Sequence, residues 1–437
     1  MNVNATDRRA ADPAAVDVPL RYLVVAVIAF VLAAPGVVWL APELAGHYYH
    51  PRIVALAHTV TLGWITLAIM GASYQLIPIV LGRPVWSLRA ARWQFWLVVV
   101  AAAGMIAHFY MATWLGLVMA AAMFASGVVL HLINVALTFR GADRSRFTAR
   151  LIALAYAGLA LTVAFGLLLG IDHLHKFLPG GFFSNLHAHV HLALLGWVMP
   201  IVLGVSARVY PMFLLAPAPQ GWSERTQFWG LTVGVPALVL GLLLQFPAGV
   251  IGGALAVTTA ALAHLGWIAS TLAHRRRPRL DWGLRLVLAG AAFIVPGLLL
   301  GWAFALGVIA GPHFALAYAV VILGGWISLT IAGMMLKIVP FLVWYRVYGS
   351  RAGKERVPAL PDLSCVHVEG AACVLLVVGF IALPAAMAGG SAEAIRIAGI
   401  ILTLGGLAFA AALGRVLMHL ARGNATTTAS RWAEAKQ

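Results

Sequence analysis

Apolar runs of about twenty or more residues recur along nearly the whole chain, and that feature removes most folds from consideration. In a bilayer core every backbone N–H and C=O has to be satisfied inside the chain, so such runs become helices. The spans fall at roughly 20–42, 50–82, 92–110, 112–140, 149–171, 184–215, 226–246, 248–273, 284–310, 313–345, 366–388 and 393–420. Composition agrees: of 437 residues, 62% are hydrophobic and only 10% charged. The fold class is therefore an all-α integral membrane protein with about twelve transmembrane helices. The first run has full spanning length, so the N-terminus does not read as a cleaved signal peptide.

One pattern returns in three of these runs. Residues 58–78 read HTVTLGWITLAIMGASYQLIP, 191–211 read HLALLGWVMPIVLGVSARVYP, and 320–340 read VVILGGWISLTIAGMMLKIVP. Each copy places Gly-Trp, Gly and Pro at the same offsets: Gly63-Trp64, Gly71 and Pro78; Gly196-Trp197, Gly204 and Pro211; Gly325-Trp326, Gly333 and Pro340. The first position is His58, His191 and then Val320. The copies occupy the second, sixth and tenth spans, with repeat-bearing helices at 50–82, 184–215 and 313–345. Three pseudo-symmetric four-helix units, about 18–140, 149–273 and 284–420, then build a single transmembrane domain over 18–421. Polar tails are expected at 1–17 and 422–437.

The net charge of +16 points to topology and anionic lipid on a chain this apolar, and no nucleic-acid partner is expected. With both termini cytoplasmic, the inner side collects Arg8, Arg9, Arg21, Arg83, Arg89, Arg92, Arg140, Arg144, Arg146, Arg150, the run Arg275 to Arg279, Arg285, Arg346, Arg351, Lys354, Arg356, Arg422, Arg431 and Lys436. The outer side keeps Arg52, Lys176 and Arg396. That asymmetry sets a multi-pass orientation in a bacterial inner membrane. Cys365 and Cys373 make no disulfide framework, and no Cys-x-x-Cys-His for covalent haem attachment occurs.

Ten of the fifteen histidines then lie in the outer half. His58 sits about eight residues into its helix, roughly 12 Å deep. His187, His189 and His191 enter the sixth helix from outside, after Asp172, His173 and His175 in the preceding outer segment. His313 opens the tenth helix, His108 ends the third, and His47 and His50 lie above His58. Interfacial histidines cost little, and that reading suffices for His47, His50, His108 and His175. Neutral imidazole is also the commonest metal ligand, and an ionisable group inside a span is a functional candidate. His58 and His191 share one repeat position, which aims both at a common axis as haem or metal ligands. His187 and His191 share a face at i, i+4, while His189 points roughly the other way. His58, His173, His175, His187, His189, His191 and His313 make up the candidate metal set.

Other repeat positions carry two readings each. The six glycines leave room either for a macrocycle or for a neighbouring backbone. Trp64, Trp197 and Trp326 lie too deep for an interfacial belt, so they wall a cofactor or fill the core. Arg52 and Lys176 are placed to meet propionates or lipid phosphates. Gln75, Arg208 and Lys337 share a position near the inner ends, for snorkelling or for proton entry.

Twelve helices in three four-helix units, with His on the second and sixth near the outer face, resemble subunit I of the haem–copper oxidases, including the cbb3-type and nitric oxide reductase branches. The spacing over 58–78 is also similar to the NnrS family of haem- and copper-bearing membrane proteins of the nitric oxide response. By that resemblance His58 matches a low-spin haem ligand, and the 187–191 cluster falls where a copper ligand stands. The chain departs from the superfamily at three places. Residues 226–263 contain no His, the tenth helix lacks His-x-His, and the sixth lacks His-x3-Tyr. A binuclear centre with two haems, and an oxygen-reducing proton pump, are therefore not expected.

The resemblance implies a redox protein binding haem, of b-type, with copper as a further candidate. It would act in electron transfer or on a small gas such as nitric oxide, with a periplasmic electron donor. The competing class is a non-catalytic haem- or metal-binding sensor, carrier or accessory protein, so the chain's status as an oxidoreductase stays open. A transporter ranks lower, because the deep polar groups are imidazoles rather than carboxylates.

Overall fold

The computed structural model describes residues 13–143, 146–219 and 221–434. Arg8, Arg9, Arg144 and Lys436, and most of the 1–17 tail, lie outside the described residues. Among the described residues, twelve helices are long and apolar enough to cross a membrane. They are α1 Val16–Trp39, α2 Pro51–Leu81, α3 Leu88–Tyr110, α4 Trp114–Thr138, α5 Phe147–His175, α6 Phe182–Leu214, α7 Trp222–Leu243, α8 Pro247–Ala273, α9 Trp282–Ala305, α10 Pro312–Tyr348, α11 Val366–Ala388 and α12 Ala392–Ala421. No β-strand occurs among the described residues. The chain is thus an all-helical multi-pass membrane protein, with span boundaries close to those the hydropathy predicts. Beyond its span, the last helix continues to Glu434, through most of the stretch expected as a polar tail.

The three repeat-bearing helices are the most buried. Within their most apolar windows 83% of α10, 61% of α6 and 56% of α2 is buried, against 33–50% for the other nine. Helix ends follow local chemistry. Ser87 accepts from the N–H of Ala90 at the start of α3, and Asp281 accepts from that of Leu284 at the start of α9. Helix α9 breaks between Ala292 and Ile294. Pro296 follows, and its nitrogen cannot donate to the carbonyl one turn back.

The chain divides into two compact units. The first holds Ser73–Arg279 and Leu298–Ile309. In it α3 packs on α4, α4 on α5, α5 on α6 and α7 on α8. Asn134 on α4 grips the backbone of Ser87 in both directions, and Thr138 accepts from the N–H of Trp86, so the α2–α3 connection is tied to α4. The second unit holds Ala11–Ala72, Leu280–Gly297 and Ala310–Gln437, as far as they are described. There α1 packs on α12, α11 on α12 and α9 on α10. Lys337 on α10 bonds Asp281 at the head of α9 at 2.6 Å, and Arg346 pairs with Asp17.

The repeated glycines are packing residues in both units. In the second, Gly63 and Gly71 lie against Ala29 and Tyr22 of α1, and Gly325 and Gly333 lie against Phe293 and Gly283 of α9. In the first, Gly196 and Gly204 lie against Gly158 and Leu151 of α5. Each repeat-bearing helix therefore beds its glycine face on the helix just before it. A neighbouring helix, rather than a macrocycle, fills the room that these glycines leave.

Candidate cofactor-binding site

Each repeat-bearing helix changes its hydrogen-bond register at one place. A π-helical segment, with i→i+5 bonding, runs over Thr59–Thr66 in α2, Leu192–Val198 in α6 and Val321–Ser328 in α10. The residue immediately before each is the first repeat position: His58, His191 and Val320. Such segments are rare and are frequently found at functional sites. The periodicity of the sequence gives no hint of them, since the extra residue per turn is absorbed without a change in composition.

The two histidines at this position are oriented alike. The Nδ1–H of His58 donates to the carbonyl of Val54 at 2.8 Å, and the Nδ1–H of His191 donates to the carbonyl of His187 at 2.7 Å. A carbonyl can only accept, so in the neutral ring the proton sits on Nδ1 and the lone pair on Nε2. A backbone carbonyl holding one ring nitrogen so that the other presents its lone pair is the usual support of a metal-ligating imidazole. Both rings are half-buried.

The remaining candidates are arranged differently. The Nε2–H of His313 donates to the carbonyl of Ala45 at 2.9 Å, which commits that nitrogen to the backbone. His47 and His50 accept backbone N–H groups at Nδ1, from Tyr49 and Arg52, and so carry their proton on Nε2. His173 packs on Trp114, with ring centroids 3.8 Å apart. His175 and His187 are exposed, and His189 turns toward Phe165 and Gly166 of α5. Asp172 accepts the N–H of Leu178 with its carboxylate, a loop-closing role rather than a grip on His173. Among the described residues no three His, Cys, Asp or Glu side chains gather in a way that could hold a metal ion.

The buried tryptophans differ in their bonding. Trp64 is 0% exposed, packs in a tilted arrangement on Phe30 with ring centroids 4.6 Å apart and donates Nε1–H to Ser328 at 3.0 Å. It therefore links α1, α2 and α10 as a core residue of the second unit. Trp197, 2% exposed, has no hydrogen-bond partner for Nε1 among the described residues. A buried N–H without an acceptor is uncommon, and it fits a group not carried by the chain itself. Arg52 pairs with Glu43 at 3.2 Å. The Gln75, Arg208 and Lys337 triplet shares no common role: Lys337 is ion-paired, Gln75 is half-buried and Arg208 is exposed.

A second threefold sequence feature sits on α4, α8 and α12. His131 on α4, His264 on α8 and His419 on α12 are each followed by Leu. His131 and His264 stand 73 residues after His58 and His191 respectively. In the first unit a directional chain forms. Tyr74 donates to Gln94 Oε1 at 3.0 Å, so its oxygen accepts from His131 Nδ1 at 2.9 Å, and His131 Nε2 accepts from Tyr156 at 3.1 Å. His264 donates to Gln227, which bonds Ser223. In the second unit His419 meets the Tyr348 hydroxyl at 2.7 Å. Sequence reasoning passes over these inner histidines, although their constant distance from the repeat is visible. They read as ties between helices. His131→Leu removes one hydrogen-bond partner from each of the Tyr74 and Tyr156 hydroxyls, and thermal unfolding of the purified protein should show a loss of about 2 kcal/mol. His131→Gln, which can still donate and accept, should recover part of it.

No protein-family model matches the chain, and no curated protein matches it. Among solved structures, a haem–copper terminal oxidase dimer determined by cryo-electron microscopy matches with a TM-score of 0.66 at 13% identity, over 95% of this chain and 84% of that one. The chain therefore shares the fold of a haem–copper terminal oxidase.

Proposed function

We propose that this chain is a haem-binding membrane redox protein, with His58 and His191 as the imidazole ligands that their own units supply. The observation carrying this reading is the equivalent pair of π-helical turns, each preceded by a histidine whose Nδ1–H is held by the carbonyl one turn back. The donor set suits haem better than a copper ion caged by protein alone. Haem iron takes one or two side-chain ligands, whereas such a copper site takes three or more, and no group of that size exists among the described residues. Bound haem would supply one-electron chemistry, with potential and ligand binding governed by its axial groups and its burial. The chain's part is to hold Nε2 lone pairs at fixed positions and to offer Trp197 Nε1–H as a buried donor.

In the orientation set by the arginines, both histidines lie toward the periplasmic side of a bacterial inner membrane, within reach of a periplasmic electron donor. The activity is then electron transfer or chemistry on a small gas such as nitric oxide. Reduced and oxidised spectra test the redox part: the Soret band is expected to shift on dithionite and again on nitric oxide. A haem spectrum indifferent to both would instead support the non-catalytic carrier or accessory role. His191→Ala is expected to change the spectrum or the ligation state without reducing the amount of protein in the membrane.

A further inference from the structure

We propose that the connection His274–Arg279 binds the head-group phosphate of an anionic phospholipid, at a site formed with the nearby end of α6. The segment reads His-Arg-Arg-Arg-Pro-Arg, with no acidic residue. Arg275, Arg276 and Arg279 are exposed, and none has a carboxylate within 4.0 Å among the described residues. Elsewhere on this arginine-rich side Arg146, Arg346 and Arg351 have acid partners, while Arg89 and Arg92 are also exposed with none among the described residues. Arg275, Arg276 and Arg279 thus place three such cations within five residues of one another.

The segment is also held in place. The backbone N–H of Arg277 donates to the carbonyl of Leu214 at 3.3 Å, its guanidinium donates to that of Phe213 at 3.4 Å, and the Arg275 guanidinium donates to that of Leu272 at 3.0 Å. These bonds fix the run against the end of α6 and the last turn of α8. Apolar side chains are exposed at the end of α6 to which the run is bonded, Met212 and Leu215, and Trp222 is 71% exposed at the start of α7. A pinned cationic edge at the end of spanning helices, beside exposed apolar groups, suits a ligand with phosphate and acyl chains together. A soluble polyanion would leave the apolar part uncovered.

The test uses purified, delipidated full-length protein titrated with phosphatidylglycerol, phosphatidylcholine or inorganic phosphate, read by native mass spectrometry and thermal unfolding. Phosphatidylglycerol is expected to bind and to raise the unfolding temperature, while the other two leave it unchanged. At about 1 kcal/mol for each arginine near the surface, the Arg275→Ala, Arg276→Ala, Arg279→Ala triple variant should weaken that binding on the order of 100-fold. Should the triple variant accumulate poorly, Arg276→Gln alone is expected to weaken it about fivefold. Phosphatidylglycerol binding unchanged in either variant overturns the site. Equal stabilisation by phosphatidylcholine, or by inorganic phosphate alone, overturns the assignment of an anionic lipid.

Discussion

If the proposed haem is bound, replacing His58 by alanine is expected to abolish its absorbance or reduce it to a small fraction, while the protein still inserts and accumulates. Two observations set this outcome apart from simple unfolding. The His58 Nδ1 bond runs to Val54 within α2, so its loss breaks no tie between helices. The π-helical segment that follows is anchored separately, through Trp64 to Ser328 and Phe30. What the substitution removes for the proposed site is the Nε2 lone pair. Spectra per milligram of membrane protein, with a blot for insertion, make the measurement. A His58→Ala protein with an unchanged Soret band would remove His58 from the ligand set.

The largest structural effect is expected at Gly158. A Cβ placed there would fall inside the carbonyl oxygen and carbon of Gly196, both backbone atoms that cannot rotate away. Gly158→Leu therefore forces α5 off α6, at the same place where the π-helical turn follows His191. Overpacking costs about 1–3 kcal/mol where side chains can yield, and here the obstacle is backbone, so a loss above about 3 kcal/mol is expected. Membrane accumulation should fall severely. Gly266→Ala on α8 is the control, since nothing lies within 4 Å of its Cβ position, and it should accumulate as the unsubstituted protein does. Equal accumulation of the two variants would contradict the bedding of the repeat helix on its predecessor.

Much of the fold is legible in the sequence for a physical reason. A bilayer permits few alternatives, so runs such as 366–388 become helices whatever their neighbours do. The Gly-Trp, Gly and Pro offsets also identify the interior helices correctly, and α2, α6 and α10 are the most buried. The candidate site is legible only in part. Repeat position singles out His58 and His191 from fifteen histidines, but not the orientation of the rings, which depends on the carbonyls of Val54 and His187. The π-helical turns leave no compositional trace. The choice between cofactor space and packing at Gly71 or Gly204 rests on Tyr22 and Leu151, residues far away in sequence. Arg52 likewise looks like an anion-binding residue until Glu43 is seen beside it.

Pyridine-haemochrome and metal analysis of the purified, unsubstituted chain bears most directly on the central claim, that equivalent imidazoles before two π-helical turns serve as haem ligands. The expected result is b-type haem in stoichiometric amount, lost with His58. Protein purified from haem-replete cells with no haem bound, in a folded and monodisperse state, would contradict it.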